Sequence, residues 1–148
     1  MKARKLADVL LQQTEALQEV VDVVTRQREA LKTGRLDLLQ DLMKELHDAS
    51  FRAQALERNR EIEVAALAKI LRVRPTLSAF LEALNEGERD FLGKVGKKFT
   101  LQVRRLKSEI QILSRLADEN KRLGDLVLSE WRRMEGMLPS ANGFDIKG

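Results

Sequence analysis

The sequence predicts an all-α protein, and three observations point to this fold class. Residues that favour helices, namely Ala, Leu, Glu, Lys, Arg and Gln, dominate the composition. Only 2 Pro and 8 Gly interrupt 148 residues, so the elements must be long. Apolar residues recur at alternating steps of three and four, which is a heptad pattern. We therefore expect a long-helix antiparallel three-helix bundle or coiled coil, with a short plug helix and an overhanging C-terminal helix.

The first helix is predicted over residues 6–32. Its heptad seam, meaning the a and d positions that face a neighbouring helix, runs without a slip. The seam residues are Leu6, Leu10, Gln13, Leu17, Val20, Val24, Gln27 and Leu31. Gly34 then supplies the positive φ that ends a helix, so we expect a tight corner there.

The second helix is predicted over residues 36–73. Its seam residues are Leu39, Leu42, Leu46, Ala49, Ala53, Leu56, Leu67 and Ile70. Beyond Leu56 the strict register falls on Arg60, whereas Ile62 and Ala66 lie one step to the side. We interpret this shift as a stutter, a local change of winding. Pro75 disfavours helix in the residue before it and closes the element.

A short helix is predicted over residues 77–84, with Thr76 as its N-cap. Two turns are not stable alone, so we expect this helix to plug the end of the bundle. The last helix is predicted over residues 88–138, with Gly93 and Gly96 weakening its first turns. Its seam residues are Val103, Leu106, Ile110, Leu113, Ala117, Asn120, Gly124, Val127, Trp131, Met134 and Leu138. Residues 1–138 are expected to form one domain and residues 139–148 a flexible tail.

The predicted helix lengths do not match. At 1.5 Å per residue the three long helices come to about 40, 55 and 75 Å. An antiparallel last helix would run out of partner near Asp125, which leaves three to four turns uncovered. These turns carry Leu126, Val127, Leu128, Trp131, Met134, Met137 and Leu138. An uncovered apolar end with Trp and Met is typical of an interaction site.

The residue types that catalysis and metal binding need are scarce. The chain has no Cys, and its one His, His47, stands in no metal-binding or catalytic motif. We therefore expect no enzyme activity, no metal and no cofactor. No apolar run reaches the roughly 20 residues of a membrane span, and the basic start lacks the apolar core of a signal peptide. The sequence thus predicts a cytoplasmic protein.

Three segments carry a resemblance to a known family. Residues 29–42, Glu-Ala-Leu-Lys-Thr-Gly-Arg-Leu-Asp-Leu-Leu-Gln-Asp-Leu, match a corner written EAL-x-x-G-D-L-x-x-L. Residues 76–84 match a short Leu-rich segment, and residues 116–123 place Asn120 in the long final helix. In this order the segments resemble the FlgN-like flagellar export chaperones over nearly the whole chain.

The resemblance implies a cytoplasmic chaperone of the flagellar type III export system. Such a chaperone binds flagellar hook-associated, or hook–filament junction, proteins through its C-terminal helix and hands them to the export apparatus. Together with the uncovered end, this implies a set of client-binding residues. They are Asn120, Leu123, Leu126, Val127, Trp131, Met134, Met137 and Leu138.

Two other functions stay open at this point. One is a self-associating coiled-coil or adaptor protein without a client, in which a homodimer forms through the C-terminal helix and Gln13, Gln27 and Asn120 set the register. The other is a surface binder of nucleic acid or acidic membrane that uses Lys94, Lys97, Lys98, Arg104, Arg105 and Lys107. Basic pairs are interspersed along the chain and no nucleic-acid motif accompanies them, so we expect solvated faces, no nucleic-acid partner and no membrane insertion.

Overall fold

The computed structural model describes residues 2–120 and, beyond them, Asp125, Ser129 and Arg132. Its elements are α1 (Arg4–Thr33), α2 (Leu36–Leu71), α3 (Leu77–Ala83) and α4 (Glu86–Glu119). No strand occurs in the part of the chain that the structure describes. The predicted all-α helical bundle, with three long helices and one short helix, is confirmed.

The described residues divide into two compact units. Unit 1 comprises residues 2–15 and 55–102, which hold the start of α1, the second half of α2, all of α3 and the first half of α4. Unit 2 comprises residues 16–54 and 103–120, which hold the remainder of the three long helices. Each unit is therefore built from segments of α1, α2 and α4, and a single domain over residues 1–138 stays a prediction.

Ion pairs in unit 2 define the direction of α1 against α2. Glu19 pairs with Arg52 at 2.7 Å, and Arg26 pairs with Glu45 at 2.8 Å. As residue numbers rise along α1 the partners' numbers fall along α2. The two helices are therefore antiparallel in this unit.

Two contacts in the same unit define the direction of α4. The guanidinium of Arg105 donates to Oε1 of Gln18 at 3.2 Å, and that of Arg28 donates to Glu109 at 2.8 Å. Numbers rise together here, so α4 runs parallel to α1 and antiparallel to α2 in unit 2. The antiparallel relation of the last two long helices agrees with the sequence expectation.

The predicted seam of α1 forms core along its whole length. All eight of its residues are buried, and none is more than 3% exposed. Leu17, Leu46 and Leu106, taken from three different helices, are 2%, 0% and 1% exposed. The uninterrupted heptad pattern therefore gave the correct register for α1.

The second half of α2 departs from the predicted register. Ile62 is 64% exposed and Ile70 is 59% exposed, whereas Arg60 is only 1% exposed and Val64 lies in the core. The predicted places of Ile62 and Ala66 beside the seam are wrong, and so is the seam position of Ile70, because all three are exposed. The buried positions Arg60, Val64 and Leu67 nevertheless depart from the strict register, which would give Glu63, as a stutter would. The register continues through Arg60 because partners inside unit 1 match its charge, as described below.

The corner after α1 is closed by Gly34. This residue has a φ of 68°, and its N–H donates to the carbonyl of Leu31 at 3.3 Å. The N–H of Arg35 donates to the carbonyl of Ala30 at 3.0 Å. These two bonds form a Schellman motif, which satisfies carbonyls that the helix end would leave unbonded. The predicted corner at Gly34 is confirmed.

A second left-handed residue ends α2 at Leu71, two residues before the predicted end. Arg72 has a φ of 56°, and the N–H of Val73 donates to the carbonyl of Ala68 at 3.1 Å. An arginine thus occupies the position that helices usually give to glycine. The chain then turns through Pro75 into α3.

Side-chain caps fix both ends of the short connection around α3. Thr76 accepts a hydrogen bond from the N–H of Ala79 at 3.2 Å, which confirms it as the N-cap of α3. Asn85 accepts one from the N–H of Glu88 at 2.9 Å and so caps α4. Because Asn85 is the cap, α4 begins at Glu86, two residues earlier than predicted.

The glycines near the start of α4 lie inside a continuous helix. A Cβ atom placed on Gly96 would lie 2.8 Å from Cδ2 of Leu77, which is 5% exposed. The absence of a side chain at Gly96 therefore lets α3 pack closely against α4. A Cβ atom placed on Gly93 would lie 3.9 Å from Cδ2 of Leu81, which is an ordinary van der Waals contact.

Candidate functional site

The predicted client-binding residues lie mostly outside the described residues. Leu123, Leu126, Val127, Trp131, Met134, Met137 and Leu138 belong to this group. Asn120 is described: it is partly buried, and its N–H donates to the carbonyl of Leu116 at 3.1 Å. Asp125, Ser129 and Arg132 are helical and exposed. The predicted flexible tail, residues 139–148, also falls outside the described residues.

A buried polar cluster lies in unit 1, where α1, α2 and α4 supply its members. The guanidinium of Arg60 donates two hydrogen bonds to the carboxylate of Glu57, one of them from Nε at 3.1 Å. The side-chain amide of Gln13 donates to the same carboxylate. The ring centroid of Phe99, which is 0% exposed, lies 5.8 Å from Cζ of Arg60. A charge removed from water is tolerated only with such partners, so the cluster ties the three helices together.

A second polar side chain is buried in unit 2 without partners. Gln27 is 0% exposed, and neither its Nε2 nor its Oε1 has a hydrogen bond. The next residue, Arg28, forms the half-buried ion pair with Glu109. Gln27 is therefore a point of weakness in the core, because a buried polar group without a hydrogen bond is unfavourable.

A groove of about 300 Å³ runs between α1 and α2 in unit 2. Its walls carry the ion pairs Glu19–Arg52 and Arg26–Glu45. Its lining residues are Glu19, Asp22, Val23, Arg26, Glu45, Asp48, Ala49 and Arg52. Six of the eight lining residues are charged and four of these pair with each other, so the groove lacks the mostly apolar lining that is typical of a small-molecule site.

A metal site and a membrane span would each need a particular grouping of residues. Among those that the structure describes, no three His, Cys, Asp or Glu side chains are grouped to hold a metal ion. His47 is exposed on α2. None of the helices, over the described part of the chain, is long and apolar enough to cross a membrane.

The structure also reveals exposed apolar side chains that sequence reasoning missed. Phe51 is 64% exposed in unit 2, and Ile62, Ile70 and Leu101 are each more than half exposed in unit 1. The stutter interpretation had taken Ile62 for a core-side residue. Only the observed register, which follows Arg60 and Val64, would have placed it on the outer face.

Comparison with known proteins relates the chain to a family. A family model described as FlgN protein matches residues 1–135 of the 148. The matched range includes Asn120, Trp131 and Met134, whereas Met137 and Leu138 lie beyond it. Neither a curated protein nor a solved structure matches the chain.

Proposed function

Since the chain belongs to the FlgN family of flagellar export chaperones, we propose that it holds flagellar hook-associated proteins through its C-terminal helix. The clients are the hook–filament junction subunits, and the chaperone delivers them from the cytoplasm to the type III export apparatus. The observation that carries this proposal is the family match over residues 1–135.

The sequence of the C-terminal segment supports capture of a client helix. Trp131, Met134 and Leu138 are spaced by three and four residues, and Val127 lies four residues before Trp131. On a helix this spacing places all four on one face. Trp is the residue type that most often anchors an interface, and Met adapts its shape to different partners. An amphipathic client helix would lay its apolar side along this stripe.

The described core supports a free chaperone rather than a zipper that needs a second copy. Every seam residue of α1, including Gln13 and Gln27, is buried within one chain. In a self-associating coiled coil these two residues would face a second copy and set its register. Here they are buried inside one chain and cannot contact a second copy.

The experiment is a binding titration of the purified chain against purified hook–filament junction subunits. The double variant Trp131→Ala/Met134→Ala removes the proposed anchor and its neighbour. We expect at least about a hundredfold weaker binding, because such anchors contribute about 2–4 kcal/mol each. Far-UV helicity and the melting temperature should stay close to those of the parent chain.

A matched control is Phe51→Ala/Ile62→Ala, which removes two side chains that are each 64% exposed in the described helices. It should bind the client like the parent chain. If Trp131→Ala/Met134→Ala folds and still binds, the C-terminal stripe is not the client site. Light scattering of the client-free protein at low micromolar concentration addresses the alternative: a monomer supports the chaperone, and a dimer that the double variant disrupts supports self-association.

A further inference from the structure

The net positive charge of the chain arises in one stretch of α4. Residues 91–108 contain six Lys and Arg and no Asp or Glu. The remainder of the chain holds 21 basic and 23 acidic side chains. The net charge of +4 thus arises entirely in these 18 residues. The basic residues are interspersed with acidic ones elsewhere in the chain, but not in this stretch.

The unit 1 part of this stretch presents its charges on one exposed face. Lys94, Lys97 and Lys98 are all exposed, and their spacing of three and four places them together on α4. Leu101, four residues after Lys97 and three after Lys98, is 55% exposed beside them. Among the described residues none of these three lysines forms an ion pair.

We propose that this basic face, defined by Lys94, Lys97, Lys98 and Leu101, docks an acidic amphipathic helix of a second protein. Carboxylates of the partner would face the lysines, and an apolar residue of the partner would cover Leu101. An apolar centre surrounded by charges of one sign is the composition of a protein interface whose partner carries the opposite sign. The face contains none of the residues of the C-terminal stripe, and the proposal goes beyond the proposed client binding.

The geometry favours a protein over a membrane or a nucleic acid. Leu92, Val95 and Phe99 of this part of α4 are buried in the bundle, so the apolar α4 side chains of unit 1 that a lipid layer could meet are Leu101 and the partly exposed Phe91. The ring of Phe91 lines a groove together with Glu88, whose carboxylate would repel the phosphate of a lipid or a nucleic acid. A helix that carries both carboxylates and an apolar side chain matches every group on the face.

The test uses the full chain and a fluorescent synthetic helix of 20 residues with Glu and Leu on one face. A second peptide carries Gln in place of each Glu. Binding is followed by anisotropy at about 50 and 300 mM NaCl, since surface electrostatics weaken as salt rises. The variant is Lys94→Glu/Lys97→Glu/Lys98→Glu. Its matched control, Arg58→Glu/Lys69→Glu/Arg74→Glu, reverses three exposed charges elsewhere in unit 1 and changes the net charge equally.

We expect the acidic peptide to bind the parent chain and the Gln peptide to bind at least tenfold more weakly. The lysine variant should lose tenfold or more in affinity, whereas the control should lose less than threefold. Leu101→Ser, which leaves the charge unchanged, should weaken binding several-fold. Trp131→Ala/Met134→Ala should bind the peptide like the parent, so this result does not depend on the client site.

Three results would overturn the proposal. The first is no binding of the acidic peptide at either salt concentration. The second is an equal loss in the control variant, which would show that net charge alone drives the interaction. The third is tighter, lysine-dependent binding of phosphatidylglycerol vesicles or of a random-sequence DNA duplex, which would assign the face to a membrane or to nucleic acid.

Discussion

The guanidinium carbon of Arg60 lies 5.8 Å from the ring centroid of Phe99, and both side chains are almost fully buried in unit 1. Arg60 belongs to α2 and Phe99 to α4, while Gln13 of α1 reaches the same site through Glu57. In the observed register of the three helices the Glu57 carboxylate accepts from both Arg60 and Gln13, and the Phe99 ring lies over the guanidinium. We infer that the cluster specifies how the long helices pair, because any slip would leave a buried charge without partners.

The first prediction is that Arg60→Ala destabilises the protein by about 3–5 kcal/mol. The substitution leaves the carboxylate of Glu57, which is 13% exposed, without its ion-pair partner and opens space beside Phe99. Urea denaturation followed by far-UV circular dichroism measures the loss. Arg58→Ala, on the exposed side of the same helix, should change stability by less than about 0.5 kcal/mol. Equal losses in the two variants would contradict a special role for the buried cluster.

The second prediction contrasts the two glutamines of the α1 seam. Gln27→Leu should stabilise the protein by about 1–3 kcal/mol, because both polar atoms of Gln27 are buried without a hydrogen bond. Gln13→Leu should destabilise it by about 1–2 kcal/mol, because the amide of Gln13 donates to Glu57. The same denaturation measurement applies to both. A destabilised Gln27→Leu would mean that Gln27 has a partner in solution.

The sequence predicted α1 better than α2 for a physical reason. The seam of α1 is apolar at six of eight positions, so its period of alternating three and four residues is unambiguous. In the second half of α2 the core position is Arg60, and a charged residue is normally taken as solvent-facing. Its carboxylate partner Glu57 is three residues earlier on the same helix, but the Phe99 ring over Arg60 and the Gln13 amide on Glu57 come from other helices, and only the fold brings them together. Burial of Arg60 could not be predicted from local periodicity.

The candidate site was predicted from a mismatch in helix length, and the family match covers most of its residues. The lysines of the basic face of α4 were already grouped from the sequence, as a candidate surface for nucleic acid or acidic membrane, and residues 91–108 contain no acidic residue. The exposure of Leu101 beside them was not recognised from the sequence, and this side chain is what favours a protein partner. Its exposure follows from the helical period, because a residue two positions after Phe99 and five before Leu106 lies on the side of α4 opposite these two buried residues.

The third prediction concerns the two left-handed residues at the ends of α1 and α2. Arg72→Gly should stabilise the protein by up to about 1 kcal/mol, because a φ of 56° is strained for any residue with a Cβ atom. Gly34→Ala should destabilise it by about 1–2 kcal/mol through the same effect, since no atom lies within 4 Å of the added Cβ. Thermal unfolding compares the pair. A destabilised Arg72→Gly or a stabilised Gly34→Ala would show that the corresponding corner is not left-handed in solution.

The last prediction concerns the two glycines of α4, which lie three residues apart in the same helix. Gly93→Ala should stabilise the protein by up to about 1 kcal/mol, because Ala favours helix and the added Cβ makes an ordinary contact with Leu81 at 3.9 Å. Gly96→Ala gains the same propensity but brings a Cβ to 2.8 Å from buried Leu77. Overpacking of this kind costs about 1–3 kcal/mol, so the net effect should be neutral to destabilising.

A double-mutant cycle separates crowding at Gly96 from any other effect. Leu77→Ala alone should cost about 2–5 kcal/mol, because the side chain is 95% buried between α3 and α4. With Gly96→Ala added, the new methyl group fills part of the space that Leu77 leaves. The double variant should therefore be less destabilised than the sum of the single variants, by at least about 0.5 kcal/mol. Simple additivity would mean that α3 does not approach α4 at Gly96, and the close packing described for these two helices would then be incorrect.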